Sequence, residues 1–299
     1  QYYRVKDNAV WLPAQDLLDN LVWLLHRSLE WDVHIPSSLR ETLRERAQQL
    51  LDEIYPDEGQ YPNVITLRTY YEAWQLRSDD PKLYWQYHTG DEQTKRILAD
   101  SSLLWDHPYK RAMLHTSKNG DGVDPRSRLR KSPQICRLLV RYHFGFRERE
   151  EGERVVRFVV TPDFSAVLEK LQVRMMEKIM VKGIAVECNP SSNRLIGTFD
   201  RYDEHPIFRF NHFGLHLPEC QDSTGQIRVS VNTDDLGVFD TSIENEYALL
   251  FGALCNRRDA EGKLLLCHDE ILAYLNHLRI MGNDMTFPKA EKTLWQERI

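Results

Sequence analysis

Three things are scarce in this 299-residue chain. No apolar run approaches the roughly 20 residues needed to span a bilayer, so no membrane-crossing helix is expected. Cysteine is sparse: Cys136, Cys188, Cys220, Cys255 and Cys267 are odd in number, widely spaced and form no C-x-x-C pair. That excludes a disulfide framework and a zinc ribbon, and a reducing cytoplasm fits best. Positive charge is not in excess either. The formal net charge is −6, which gives no global case for nucleic-acid binding. The opening "QYYRVKDNAVWLP" lacks a signal-peptide pattern, and no tandem repeat of fixed period is present. What remains is ordinary globular composition, 41% hydrophobic and 28% charged, with enough length for one or two domains.

The first hundred residues read as helices. "AQDLLDNLVWLLHRSLEW" places Leu17, Leu18, Leu21, Val22, Leu25 and Leu29 at helical spacing after Pro13. "SSLRETLRERAQQLLDEIY" carries Leu39, Leu43, Ala47, Leu50, Leu51 and Ile54 on one stripe before Pro56. Two more helices are expected in 63–80 and 81–100. Region 1–115 is therefore expected to be a helical packing or interface region, which the resemblance given below implies to be an insertion. Residues 116–133, "TSKNGDGVDPRSRLRKSP", form a flexible basic loop, read as a solvated linker ahead of a phosphate-binding arm.

"QICRLLVRYHFGFRE" and "RVVRFVVTPD" are rich in β-branched and aromatic residues. They are expected to form a strand pair, with a helix as the alternative for the first half. Next comes a helix from Pro162, capped by Thr161 and ended by Gly183. A strand at 184–188, a helix around "YDEHPIFRFNHFG" and a strand at 226–232 follow. A helix opening on a Thr241–Glu244 capping box and a helix from "CHDEILAYL" complete the series. Such alternation implies an α/β fold with parallel strands and helical crossovers. Chemistry in such folds sits at the carboxyl ends of strands, and the polar clusters 187–193 and 232–235 lie there. In the second cluster, "VNTDD", adjacent Asp234 and Asp235 on an extended segment would point opposite ways. One is then free to hold a metal while the other accepts a hydrogen bond from substrate, with a plain loop carrying two solvated acids as the alternative reading.

The stretch "SVNTDDLGVFDTSIENEY" resembles the last barrel strand and following helix of the adenosine deaminases, S-[LV]-N-T-D-D-P then T-x-L-x-x-E-Y. "VECNPSSNRLIG" is similar to their preceding strand, E-x-C-P-x-S-N, and "HPIFRF" to their H-P-I-x-x-L helix. The resemblance covers residues 160–256. It implies that 134–299 is the C-terminal part, strands seven and eight, of a (β/α)8 amidohydrolase-type barrel. It further implies a zinc cofactor, hydrolytic deamination at purine C6, and an adenosine or adenine-nucleotide substrate. Asp234 would be the zinc ligand that also bonds and deprotonates the attacking water, and Asp235 the contact to purine N7. Asn232 and Thr233 would shape the strand end, and Ser192 and Asn193 would hold loops. Glu246 and Tyr247 would be structural.

The departures from the family pattern matter too. Leu236 stands where proline is usual, Asn189 stands where cysteine is usual, and the H-x-H and H-A-G-E motifs are absent. Of the 11 histidines, His212 and His216 have an i, i+4 spacing but read as packing or surface residues. His143 reads as a strand residue and His26 as a packing residue. One aspartate is a single corner of a zinc site. The expectation is thus a part of a longer deaminase, its H-x-H strand supplied by an upstream segment or another chain. "WLPAQDLLDNLVWLLHRSL" resembles the text after strand six in long bacterial deaminase-like proteins, such as the deaminase subunits of the RADAR antiphage defence system. That likeness implies a homo-oligomer, antiviral defence and an ATPase partner. A non-catalytic assembly or binding module derived from the barrel stands as the alternative. A helical nucleic-acid binder using 126–131 is disfavoured by the acidic net charge.

Overall fold

The computed structural model of the chain describes residues 8–56, 65–81, 84, 96, 126–197, 199–217 and 226–285. It is mainly helical, with few strands. Two compact units part between Leu171 and Gln172.

In the first unit, β1 (Ala9–Pro13) pairs antiparallel with β2 (Val155–Val159), Trp11 lying opposite Arg157. Backbone bonds from Val160 to Asn8 and from Ala14 to Arg154, 2.8 and 2.9 Å, continue the ladder past both ends. Strand β1 has no counterpart among the expected elements, because five residues ending in proline carry too little pattern to read. Pro13 turns the chain directly into α1 (Ala14–Glu30), which packs on α2 (Ser37–Ile54) and α3 (Leu67–Trp74). The α2 stripe is as expected except at its start, with Leu43, Ala47, Leu50, Leu51 and Ile54 all buried and Leu39 half-buried. On α1 the stripe turns slightly. Leu24 is buried while Leu29 is 80% exposed, because Ser28 rather than Leu29 is the inward residue of the last turn.

The basic stretch closes in one helical turn, α4 (Ser127–Arg130), and the segment expected as a strand, with a helix as the alternative, is the helix α5 (Pro133–Phe144). Ser132 and Pro133 supply the physical reason. The serine sits at the N-cap and the proline at the first helical position, and Ile135, Leu138 and Leu139 then fall on one buried face. Local capping and helical periodicity outweigh β-branching here, so His143 is helical rather than a strand residue. A short helix, α6 (Phe146–Glu153), leads into β2. The helix expected over 81–100 and the residues 116–125 lie almost wholly outside the described residues.

Helix α7 (Pro162–Val181) is bounded as its sequence predicts. The Phe164 amide donates to Thr161 Oγ1 at 3.2 Å. At the other end Gly183 has φ +64°, with bonds from Gly183 N to Met180 O and from Ile184 N to Ile179 O. Those two bonds define a Schellman motif.

In the second unit, β3 (Ala185–Cys188) and β4 (Arg228–Val231) run parallel, Cys188 opposite Val231. The chain between them forms α8 (Pro190–Ile196), a 3₁₀ turn at Tyr202–Glu204 and one helical turn, α9 (Ile207–Phe210). The helix expected around "YDEHPIFRF" is thus cut to two short turns, with Pro206 between them. After β4 come α10 (Leu236–Phe239), α11 (Ile243–Cys255) and α12 (His268–Asp284). Helix α12 packs on β4 and α11, and Val229, Leu250, Leu254, Ile271 and Leu278 are fully buried between them. Among the described residues one parallel strand pair with a helical crossover is therefore present, and the other pair is antiparallel. The described residues hold two separate two-stranded sheets and no closed barrel.

Candidate functional site

Because β3 and β4 are parallel, their carboxyl ends lie side by side, and each is followed at once by polar residues. The Asn232 amide extends the ladder by donating to Cys188 O at 3.0 Å. Asn189, with its amide nitrogen facing the carbonyls, donates to both Cys188 O and Asn232 O at 3.2 Å. Asn189 therefore staples the two strand ends together.

Asn193 organises the start of α8. Its Oδ1 accepts from the Asn189 amide at 3.0 Å and faces His205 Nε2 at 3.1 Å. His205 Nδ1 accepts from the Ile207 amide at 3.0 Å, so Nε2 carries the ring proton and donates to Asn193. His205 is buried, and burial pulls its pKa down to about 4. It is a neutral scaffold residue at ordinary pH. Burial and the neighbouring Glu187 push the Cys188 thiol up to about 12, so it is inert.

Asp234 and Asp235 are both exposed, three and four residues beyond the end of β4. The extended geometry expected for the pair does not occur. Asp234 has φ +61°, a left-handed conformation that aspartate tolerates better than most residues. Its Oδ1 accepts from the Asp235 amide at 2.9 Å, and its Oδ2 accepts from Ser192 Oγ at 2.6 Å. Asp235 Oδ1 accepts from the Gly237 amide at 2.9 Å, which caps α10. Leu236 occupies the first position of α10, where proline is also at home, so the turn closes without a proline. Two adjacent carboxylates are tolerated because each meets donors of its own and both face water.

A buried network lies behind this pair. Glu246 is fully buried on α11. Its carboxylate accepts from the Ser191 amide at 2.8 Å, from Ser191 Oγ, and from Thr241 Oγ1 at 2.6 Å. The expected Thr241–Glu244 capping box is absent. Ser242 caps α11, accepting from Asn245 N at 3.2 Å, and Thr241 spends its proton on Glu246. Sequence reasoning placed Glu246 behind the site without this role. The available signal was a lone acid at an inward position of an apolar helix, facing a Ser-Ser pair.

Among the described residues the other histidines are packing or surface residues. His212 Nε2 lies 2.9 Å from Gln226 Nε2, while its amide donates to Gln226 Oε1 at 2.9 Å. His216 is exposed. His26 stacks on Tyr71 with ring centroids 4.1 Å apart. Among the described residues no three His, Cys, Asp or Glu side chains converge as metal ligands. A catalytic zinc requires three or four ligands. Asp234 alone offers one carboxylate, so the described residues do not by themselves fit a zinc centre. No protein-family model and no curated protein matches the chain.

The first unit holds a second polar cluster that the sequence reading passed over. Asp19 on α1 accepts from Tyr70 Oη at 2.5 Å, Gln15 Nε2 at 3.2 Å and Tyr142 Oη at 3.5 Å. Tyr55 Oη donates to Gln15 Oε1 at 2.7 Å. Burial raises the Asp19 pKa to about 6, against lowering contributions from Tyr70, Arg77 and Gln15.

Proposed function

We propose that the chain supplies the last two strands of an adenosine-deaminase-like hydrolase barrel, with Asp234 and Asp235 facing its active site. The observation that carries this reading is the Ser192–Asp234 hydrogen bond across the carboxyl ends of two parallel strands. It sets an exposed carboxylate at the place where such folds do chemistry. The reaction is hydrolytic removal of the purine C6 amine from adenosine or an adenine nucleotide. A zinc ion would supply the acidified water. The remaining ligands would come from outside the described residues, on an upstream segment or another chain. On this reading the chain would contribute one carboxylate, Asp234, toward the metal and its water, and a second, Asp235, toward the purine edge. A cytoplasmic homo-oligomer acting in antiviral defence beside an ATPase belongs to the same proposal. Among the described residues, no helix is long and apolar enough to cross a membrane.

The test measures zinc content and ammonia release from adenosine and ATP, for this polypeptide alone and with the upstream segment. Zinc and ammonia are expected with the upstream segment, and Asp234→Ala should abolish both while leaving the circular dichroism unchanged. Absence of both from the combined material, or full activity in Asp234→Ala, refutes the reading. One observation favours a second reading, a non-catalytic binding or assembly module. Both Asp234 oxygens and one Asp235 oxygen already serve loop hydrogen bonds. On that reading Asp234→Ala destabilises the loop and no zinc is bound under any condition.

A further inference from the structure

We infer that Glu246 is a positioning residue for Asp234, acting through the consecutive serines 191 and 192. Ser191 is gripped at both its amide and its hydroxyl by one buried carboxylate, so the first turn of α8 has little freedom. Ser192, the next residue, is fully buried and directs its hydroxyl at Asp234 Oδ2, 2.6 Å away. Thr241, held on the same Glu246 oxygen and accepting from Asn245 Nδ2 at 2.9 Å, fastens the chain that returns from Asp235 into α11. The buried acid therefore ties down the segments on both sides of the strand-end pair. A buried carboxylate is costly unless its lone pairs are met, and here the donors come from two separate loops. Losing the acid releases both loops together. The catalytic meaning of this link rests on the role of Asp234 proposed above, whereas the link itself does not.

Backbone amides report it directly. The Ser191 amide donates to Glu246, and the Asp235 amide donates to Asp234 Oδ1, so the exchange of each reads one end of the link. Hydrogen exchange is measured on the full chain for wild type, Glu246→Gln and Ser192→Ala. Glu246→Gln should speed exchange at both amides by about tenfold, the loss of a charge-assisted bond. Ser192→Ala should speed Asp235 alone. Faster exchange at Ser191 with Asp235 unchanged in Glu246→Gln overturns the inference, as does an unchanged Asp235 in Ser192→Ala. Thr241→Val is the milder variant should Glu246→Gln fail to fold. It should speed Asp235 exchange, Thr241→Ser should restore the wild-type rate, and the absence of that rescue counts against the link. None of these readings depends on deamination, which the ammonia assay tests separately.

Discussion

Replacing Asp19 with asparagine should flatten the acid-side pH dependence of the first unit's stability. Burial lifts this carboxyl from an ordinary value of 3.8 to about 6. A folded-state pKa above the unfolded value means that the folded state holds its proton longer. The resulting stability is fully present below about pH 4 and is lost as pH rises through about 6. The shift of roughly two units corresponds to about 3 kcal/mol at 1.36 kcal/mol per unit. The charges around Asp19 are few. Asp16 raises its pKa further, while Arg77 and the Tyr70 hydroxyl lower it. The assay is urea unfolding between pH 4 and pH 8 followed by tryptophan fluorescence. Trp11, Trp23, Trp31 and Trp74 all lie in the first unit, so the signal reports mainly on it. Wild type should lose about 3 kcal/mol more than Asp19→Asn between pH 4 and pH 7. Parallel pH profiles for the two proteins would refute the reasoning, because Asp19 would then titrate alike in both states.

Two further outcomes follow from the packing. Arg130→Ala should destabilise the first unit by about 3–5 kcal/mol in the same unfolding assay. It would strip the cationic partner from Asp79 and leave it the Tyr84 hydroxyl, breaking a pair joined at 2.8 and 3.0 Å with side chains only 6% and 5% exposed. Gly183→Ala should cost about 1 kcal/mol by thermal unfolding, from the left-handed backbone alone, since an added methyl meets nothing within 4 Å.

Helices with one clear apolar stripe and local stop signals were legible from sequence. Thr161, Pro162 and Gly183 bound α7 as their chemistry demands, and the α2 stripe is buried as spaced from Leu43 onward. The α5 segment misled because β-branched content was weighed above the Ser132–Pro133 start signal. The opposite-facing pair expected at Asp234 and Asp235 failed because the backbone turns left-handed at Asp234, a conformation that its own carboxylate bond to the next amide supports.

Sequence alone determined the strand–helix alternation after residue 161 and put both polar clusters at strand ends, because periodicity and capping are local properties. Tertiary structure alone decided what those clusters touch. The pairing of β1 with β2 joins residues some 150 positions apart. The reach of Glu246 to Ser191 spans 55 positions, and that of Ser192 to Asp234 spans 42. A buried acid finds its donors only after two parallel strands have brought distant loops to the same end of a sheet, and no local pattern records that meeting.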